Sequence, residues 1–223
     1  MSTQWRPWIT APRFMPLFGM LIGAAAGGIY WLGAQVWPTS IAVVLSMLAT
    51  ELLSAGIDSP AGTDARAAGD GSFGSVGFVF AVLVKYNALM ALSAASLPFA
   101  LPANLALGLI MIAGQASSRA LAVSALASPA RASPAGLASP ARRAWTPTSH
   151  GDVAIALAIG FAPAALIGIP GLIGLTAAIV ARIAFVAYVT RRGPSVTAAE
   201  FGMTQQLTEI CFYLGALGSW AYI

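Results

Sequence analysis

The chain has 223 residues, of which 58% are apolar and only 8% charged, with a mean hydropathy of +0.82. A soluble domain carries about 25% charged residues, so 11 Lys and Arg with 7 Asp and Glu cannot clothe a water-facing surface. The formal charge of +4 comes without any basic run interleaved with aromatics, which argues against nucleic-acid binding.

A helix needs about 20 mostly apolar residues to cross the hydrocarbon core of a bilayer. Residues 1–13 are polar and hold Arg6 and Arg13. The apolar stretch after them, 15–37, outruns a signal-peptide core of about 7–15 residues and reads as a retained first span. Within it, Gly19, Gly23 and Gly27 stand four apart, a smooth backbone strip on which another helix can pack closely. Further spans are predicted at 40–57, 74–97, 101–125, 153–167, 171–189 and 204–222. The expected fold is all-α: one polytopic membrane domain over 1–223 with about seven transmembrane helices. Pro163 and Pro170 blur the border between the fifth and sixth spans, and fusing these two into one broken helical pair gives a count of six.

The connections after spans one, three and five hold no Lys or Arg. The other ends hold Arg6 and Arg13, Arg66, Arg131 with Arg142 and Arg143, and Arg191 with Arg192. By the positive-inside rule this alternation predicts a cytoplasmic N-terminus, cytoplasmic longer loops and a C-terminus on the far side. Two of those loops have marked compositions. Residues 58–73 are acidic and glycine-rich, with Asp58, Asp64 and Asp70. Residues 127–151 repeat Ala-Ser-Pro three times, a proline density that bars a regular helix. Arg142 and Arg143 in this loop suit attraction to anionic lipid headgroups.

Charges inside spans are costly and tend to mark function. Glu51, Lys85, Arg119, Arg182 and Glu209 are the cases here. Glu51 and Lys85 suit an ion pair between the second and third spans. Arg182 lies near a span end, where it can snorkel. Arg119 forms a polar stripe with Gln115, Ser117 and Ser118, and Gln205 and Glu209 share a helix face one turn apart. Clustered carboxylates at a membrane face can hold Mg²⁺ together with substrate phosphates, and Asp58, Asp64 and Asp70 are the candidates; an ordinary solvated loop is the plainer reading. His150 is the single histidine and Cys211 the single cysteine, which argues against histidine metal sites and catalytic triads and excludes an internal disulfide. No P-loop or dinucleotide fingerprint is present.

Several stretches, in order along the chain, resemble the cobalamin synthase family, the adenosylcobinamide-GDP ribazoletransferases. They are Arg13-Phe14-Met15-Pro16-Leu17-Phe18-Gly19, residues 40–50, Gly71-Ser72-Phe73-Gly74 with its downstream Lys85, Ala116-Ser117-Ser118-Arg119-Ala120, and Gln205-Gln206-Leu207-Thr208-Glu209. The chain departs from the family in its acidic motif. Asp64 is in register, Asp58 stands where the family has His, and Ala67 replaces a further Asp.

The resemblance implies an inner-membrane transferase that joins adenosylcobinamide-GDP to α-ribazole, or its 5′-phosphate, and releases GMP. It implies Mg²⁺ on Asp58, Asp64 and Asp70, with Asp64 and Glu209 in catalytic roles. Lys85, Arg119, Gln205 and Ser72 would contact substrate. Expected partners are these substrates, membrane lipids and a second copy of the chain, with no nucleic acid. The thinned acidic motif keeps two other readings open: a catalytically inactive homologue serving as membrane scaffold or partner subunit, and a small transporter.

Overall fold

The computed structural model describes residues 12–58, 75–94, 103–126, 149–192 and 198–219. Within them, a short 3-10 turn at Pro12–Phe14 precedes seven α-helices. These are α1 (Met15–Val36), α2 (Thr39–Asp58), α3 (Ser75–Ala94), α4 (Ala103–Leu126), α5 (His150–Ile167), α6 (Ile169–Arg192) and α7 (Ala198–Ser219). No strand occurs among the described residues. The all-α bundle expected from the apolar runs is what the chain forms.

Five helices, α1, α3, α4, α5 and α6, are long and apolar enough to cross a membrane. α2 is apolar over the shorter stretch Thr39–Ser54. α7 carries Thr204, Gln205, Gln206, Thr208 and Glu209 near its middle, which lowers its hydropathy. The seven expected spans therefore correspond to seven helices, of which five meet the length and apolarity requirement. The outside of the bundle is apolar: Leu21, Leu32, Phe80, Leu166 and Ile169 are each at least 60% exposed. Lys85, Gln115, Arg119, Thr208 and Glu209 are buried. Water-soluble proteins almost never bury such charges while exposing large apolar patches. Lipid as the surrounding solvent explains both facts, and the chain is a multi-pass membrane protein.

α4 is the hub. It packs on α1, α5, α7, α6 and α3, and most of its length is buried. Its inward positions are mostly small, Ala113, Ala116, Ala120 and Ala122 among them, so neighbours approach closely. The α1 glycine strip finds its partner here. A Cβ on Gly19 would strike the Gln115 carbonyl, one on Gly23 would lie 2.5 Å from Ile112 Cα, and one on Gly27 would lie 2.8 Å from Gly108 Cα. α5 meets α4 through Gly160, which abuts Ala120. α6 and α7 close on each other at Gly174 and Gly215.

The fifth and sixth spans are separate helices. Gly168 alone joins them, at φ 81°, a left-handed backbone that favours glycine. Pro170 sits in the first turn of α6, where its missing N–H costs nothing. Leu157 and Phe161 of α5 face Ile179 and Ile183 of α6 across a cleft of about 580 Å³. This pairing makes the two helices antiparallel. α5 also starts earlier than expected, at His150. The Ser149 hydroxyl accepts from the Asp152 N–H at 3.2 Å and caps the helix.

Helix ends pair as alternating passes require. Arg13, ahead of α1, forms an ion pair with Asp152 in the first turn of α5 at 3.7 Å. Arg182 turns inward rather than snorkelling, and donates to the Ser124 carbonyl in the last turn of α4 at 2.7 Å. That carbonyl belongs to the set a helix C-terminus leaves without an internal partner. Thus α1 and α5 begin at one end of the bundle, where α4 and α6 finish, and Arg13 and Arg191 mark that end.

Candidate functional site

Four helices bring their polar side chains to one interior cluster. α2 contributes Glu51 and Ser54, α3 Lys85, α4 Gln115 and Arg119, and α7 Gln205, Gln206, Glu209 and Tyr213. The helical repeat dictates much of this. Gln115 and Arg119 are four apart on α4, and Gln205, Glu209 and Tyr213 are four apart on α7, so each set lies on one face. Facing the bundle interior is the arrangement that spares these groups from lipid.

Lys85 is the centre. Its ammonium lies 2.9 Å from Glu209 Oε1 and 3.3 Å from Glu51 Oε1. Glu209 Oε1 also accepts from Gln115 Nε2 at 2.6 Å and from the Tyr213 hydroxyl at 3.0 Å. Tyr213 can approach α4 closely because Gly114 has no side chain; a Cβ there would come 2.5 Å from the ring. The Gln115 amide oxygen accepts from Arg119 Nη1, and Arg119 Nη2 donates to Ser54 Oγ at 2.8 Å. With its amide oriented to satisfy hydrogen bonding, Gln205 accepts from both Arg119 terminal nitrogens at 3.3 and 3.1 Å. Gln206 Nε2 donates to both oxygens of Glu51 at 3.2 Å.

The charges balance, with Lys85 and Arg119 against Glu51 and Glu209. Breaking a buried pair would strand a charge in low dielectric, so the balance is a condition of folding. The burial is uneven. The side chains of Lys85 and Glu209 are 2% and 1% exposed, whereas that of Glu51 is 33% exposed. The cluster therefore has a sealed inner half around Glu209 and an outer edge at Glu51.

The Glu51–Lys85 pair expected from the sequence is present. Glu209 is the closer partner of Lys85, and sequence reasoning missed that contact. It also missed Ser54, Gln206 and Tyr213; the spacing of Glu209 and Tyr213 was the available signal for the last. Of the predicted site residues, Lys85, Arg119, Gln205 and Glu209 come together here. Asp64, Asp70 and Ser72 lie outside the described residues. Asp58 ends α2 one turn beyond Ser54, and its side chain is likewise outside them. Among the described residues no group of three His, Cys, Asp or Glu is arranged to hold a metal.

Chemically, the cluster offers two cations near an opening, with donors fixed by neighbours. Glu209 Oε1 already receives three donors and has no lone pair left for a substrate proton. Any proton acceptance by Glu209 falls to its second oxygen.

A search of solved structures finds no match. Curated proteins do match, along most of the chain. A protein of Ralstonia nicotianae is 32% identical over 219 residues, covering 90% of this chain and 81% of its own length. One of Ralstonia pickettii is 31% identical, with 93% and 84% covered. One of Leptothrix cholodnii is 33% identical, with 93% and 85% covered. All three are named adenosylcobinamide-GDP ribazoletransferase. The family model described as cobalamin-5-phosphate synthase matches residues 68–217, which span the Lys85, Arg119 and Glu209 positions of the cluster. The chain belongs to the cobalamin-5-phosphate synthase family.

Proposed function

We propose that this protein is an adenosylcobinamide-GDP ribazoletransferase of the inner membrane, with its N-terminus and its arginine-bearing end in the cytoplasm. The substrates are adenosylcobinamide-GDP and α-ribazole or its 5′-phosphate. The ribazole hydroxyl attacks the phosphate that GMP activates. A new P–O bond forms to the ribazole oxygen, the bridging P–O bond breaks, and GMP leaves with the electron pair. The hydroxyl proton passes to a carboxylate, for which Asp64 and the second oxygen of Glu209 are the candidates.

One observation carries this reading. The family match coincides with a buried, charge-balanced cluster that opens at one edge and presents Lys85 and Arg119. Phosphoryl transfer depends on positioning and on neutralising charge more than on covalent help from protein. Lys85 and Arg119 suit phosphate oxygens, and Gln205 holds Arg119 in place. Ser72, three residues ahead of α3 in the sequence, is a further substrate contact on this reading.

Asp58, Asp64 and Asp70 are the residues that would hold Mg²⁺. Their donor chemistry fits a hard cation, which prefers carboxylate oxygens shared with substrate phosphates. Asp58 closes α2 one turn after Ser54, which bonds Arg119. When bound, Mg²⁺ supplies charge neutralisation on the phosphates.

The test is turnover by membranes carrying the chain, given adenosylcobinamide-GDP, α-ribazole and Mg²⁺. Release of GMP in step with the joined corrinoid is expected. Correctly folded protein that releases no GMP, with either α-ribazole or its 5′-phosphate, would overturn the reading in favour of an inactive homologue.

A further inference from the structure

The ammonium of Lys85 has three donors, and two of them meet carboxylates of unequal standing. Glu209 is sealed, and its bonded oxygen is also held by Gln115 and Tyr213. Glu51 stands at the open edge, one third exposed, held by Lys85 at 3.3 Å and by Gln206 at 3.2 Å to each oxygen. α2 packs along α1 and α3, and Glu51 reaches α7 through its own side chain and that of Gln206. What surrounds Glu51 is thus a set of converging donors on a partly open seat, and the resident anion is a carboxylate the protein supplies itself.

Charge arithmetic then constrains what a phosphate can do here. The cluster is already neutral, with two cations and two carboxylates. A phosphate added beside Lys85 while Glu51 stays would bring like charges within a few ångströms, where they repel strongly. If Glu51 swings aside, the incoming oxygens inherit the Lys85 and Gln206 donors and one competing negative charge leaves the cluster. Glu51 is the less enclosed carboxylate of the cluster, 33% exposed against 1% for Glu209.

We propose that Glu51 is an exchangeable counter-ion that occupies the seat of a substrate phosphate. In the resting protein its carboxylate holds Lys85 and Gln206 in position and prevents a bare buried ammonium. On binding, a diphosphate oxygen of the nucleotide-activated substrate takes its place. Glu51 is a positioning residue: it sets the strength of anion binding and touches no reacting atom. The inference rests on the proposed transferase reading for the identity of the anion, although the seat itself is defined by the donors alone.

The experiment measures inorganic pyrophosphate binding to purified full-length protein in lipid nanodiscs, in Mg²⁺-free buffer, by calorimetry. Glu51→Gln removes the competing charge while keeping the side-chain shape, so pyrophosphate should bind at least about tenfold more tightly, or about 1.4 kcal/mol. Adding Lys85→Met to Glu51→Gln should abolish that gain. With substrate, Glu51→Gln should lower the KM for adenosylcobinamide-GDP while kcat falls or stays level, because the next substrate must displace a tightly held product. A purely structural Glu51 would lower protein stability and leave pyrophosphate affinity unchanged, and that result overturns the proposal. Should Glu51→Gln fail to fold, Gln206→Met serves instead. It removes a donor from the seat and should weaken pyrophosphate binding several-fold; unchanged binding overturns the proposal. Normal turnover with pyrophosphate affinity indifferent to both variants sinks the exchange and spares the transferase. Absent turnover with affinity that responds to them does the reverse.

Discussion

Replacing Lys85 by Met tests which carboxylate the lysine chiefly serves. The methionine fills a similar volume and removes the cation, leaving Glu209 at 1% exposure and Glu51 at 33%. Stranding one partner of a buried pair costs about 3–5 kcal/mol. The lower figure applies, because Gln115 and Tyr213 still donate to Glu209. For a chain of this size each kcal/mol shifts the melting temperature by about 2–4 °C, so Lys85→Met should lower it by roughly 6–12 °C. Adding Glu209→Gln removes the stranded inner charge and should recover most of that loss. Adding Glu51→Gln should recover little, since its side chain is one third exposed and pairs that are not fully buried are worth at most about 1 kcal/mol. Thermal shift followed by fluorescence-detected size exclusion in detergent reads all four proteins, and the two double-mutant cycles give the couplings directly. Equal rescue by both second substitutions would refute the division into a sealed inner half and an open edge. So would a Lys85→Met protein as stable as the parent.

Three further outcomes are expected. Gly23→Ala should destabilise by about 1–3 kcal/mol, as overpacking does, because its new Cβ would press on the α4 backbone at Ile112; Gly28→Ala, with no atom within 4 Å, should match the parent in the same thermal assay. Asp64→Asn should abolish GMP release while leaving the folded amount in membranes unchanged, and turnover that survives would remove the proposed Mg²⁺ site. Reporter fusions after Pro140 and after Ile223 should read cytoplasmic and periplasmic respectively; the same side for both would break the alternating topology.

The helices were legible because the bilayer imposes a length and an apolar composition that show in one dimension. The α1 strip was legible as a close-packing face, but nothing in Gly19, Gly23 and Gly27 says which helix will fill it. Within the cluster, contacts one turn apart could be read off, as with Gln115 and Arg119. The Glu51–Lys85 pair followed from the cost of a lone charge in lipid. Glu209 escaped as the nearer partner of Lys85 because spacing along α7 fixes its face but not its neighbour. Gln206 and Glu51 are 155 residues apart, and their bond depends on how α7 seats against α3 and α4. α7 also shows why counting apolar runs has a limit. A helix that turns polar groups inward loses the hydropathy by which spans are recognised.

The seam between α1 and α4 bears on how the chain is made. Gly19 rests against Gln115, 96 residues later, so α1 leaves the ribosome long before its chief neighbour exists. At synthesis rates of about 5–20 residues per second, that wait is roughly 5–20 s. Throughout it, the glycine strip borders lipid or whatever insertion factor attends the nascent chain. Chains halted before α4 would hold α1, α2 and α3 without the hub that unites them. They should be cleared by membrane proteolysis, while chains halted just after α4 survive longer.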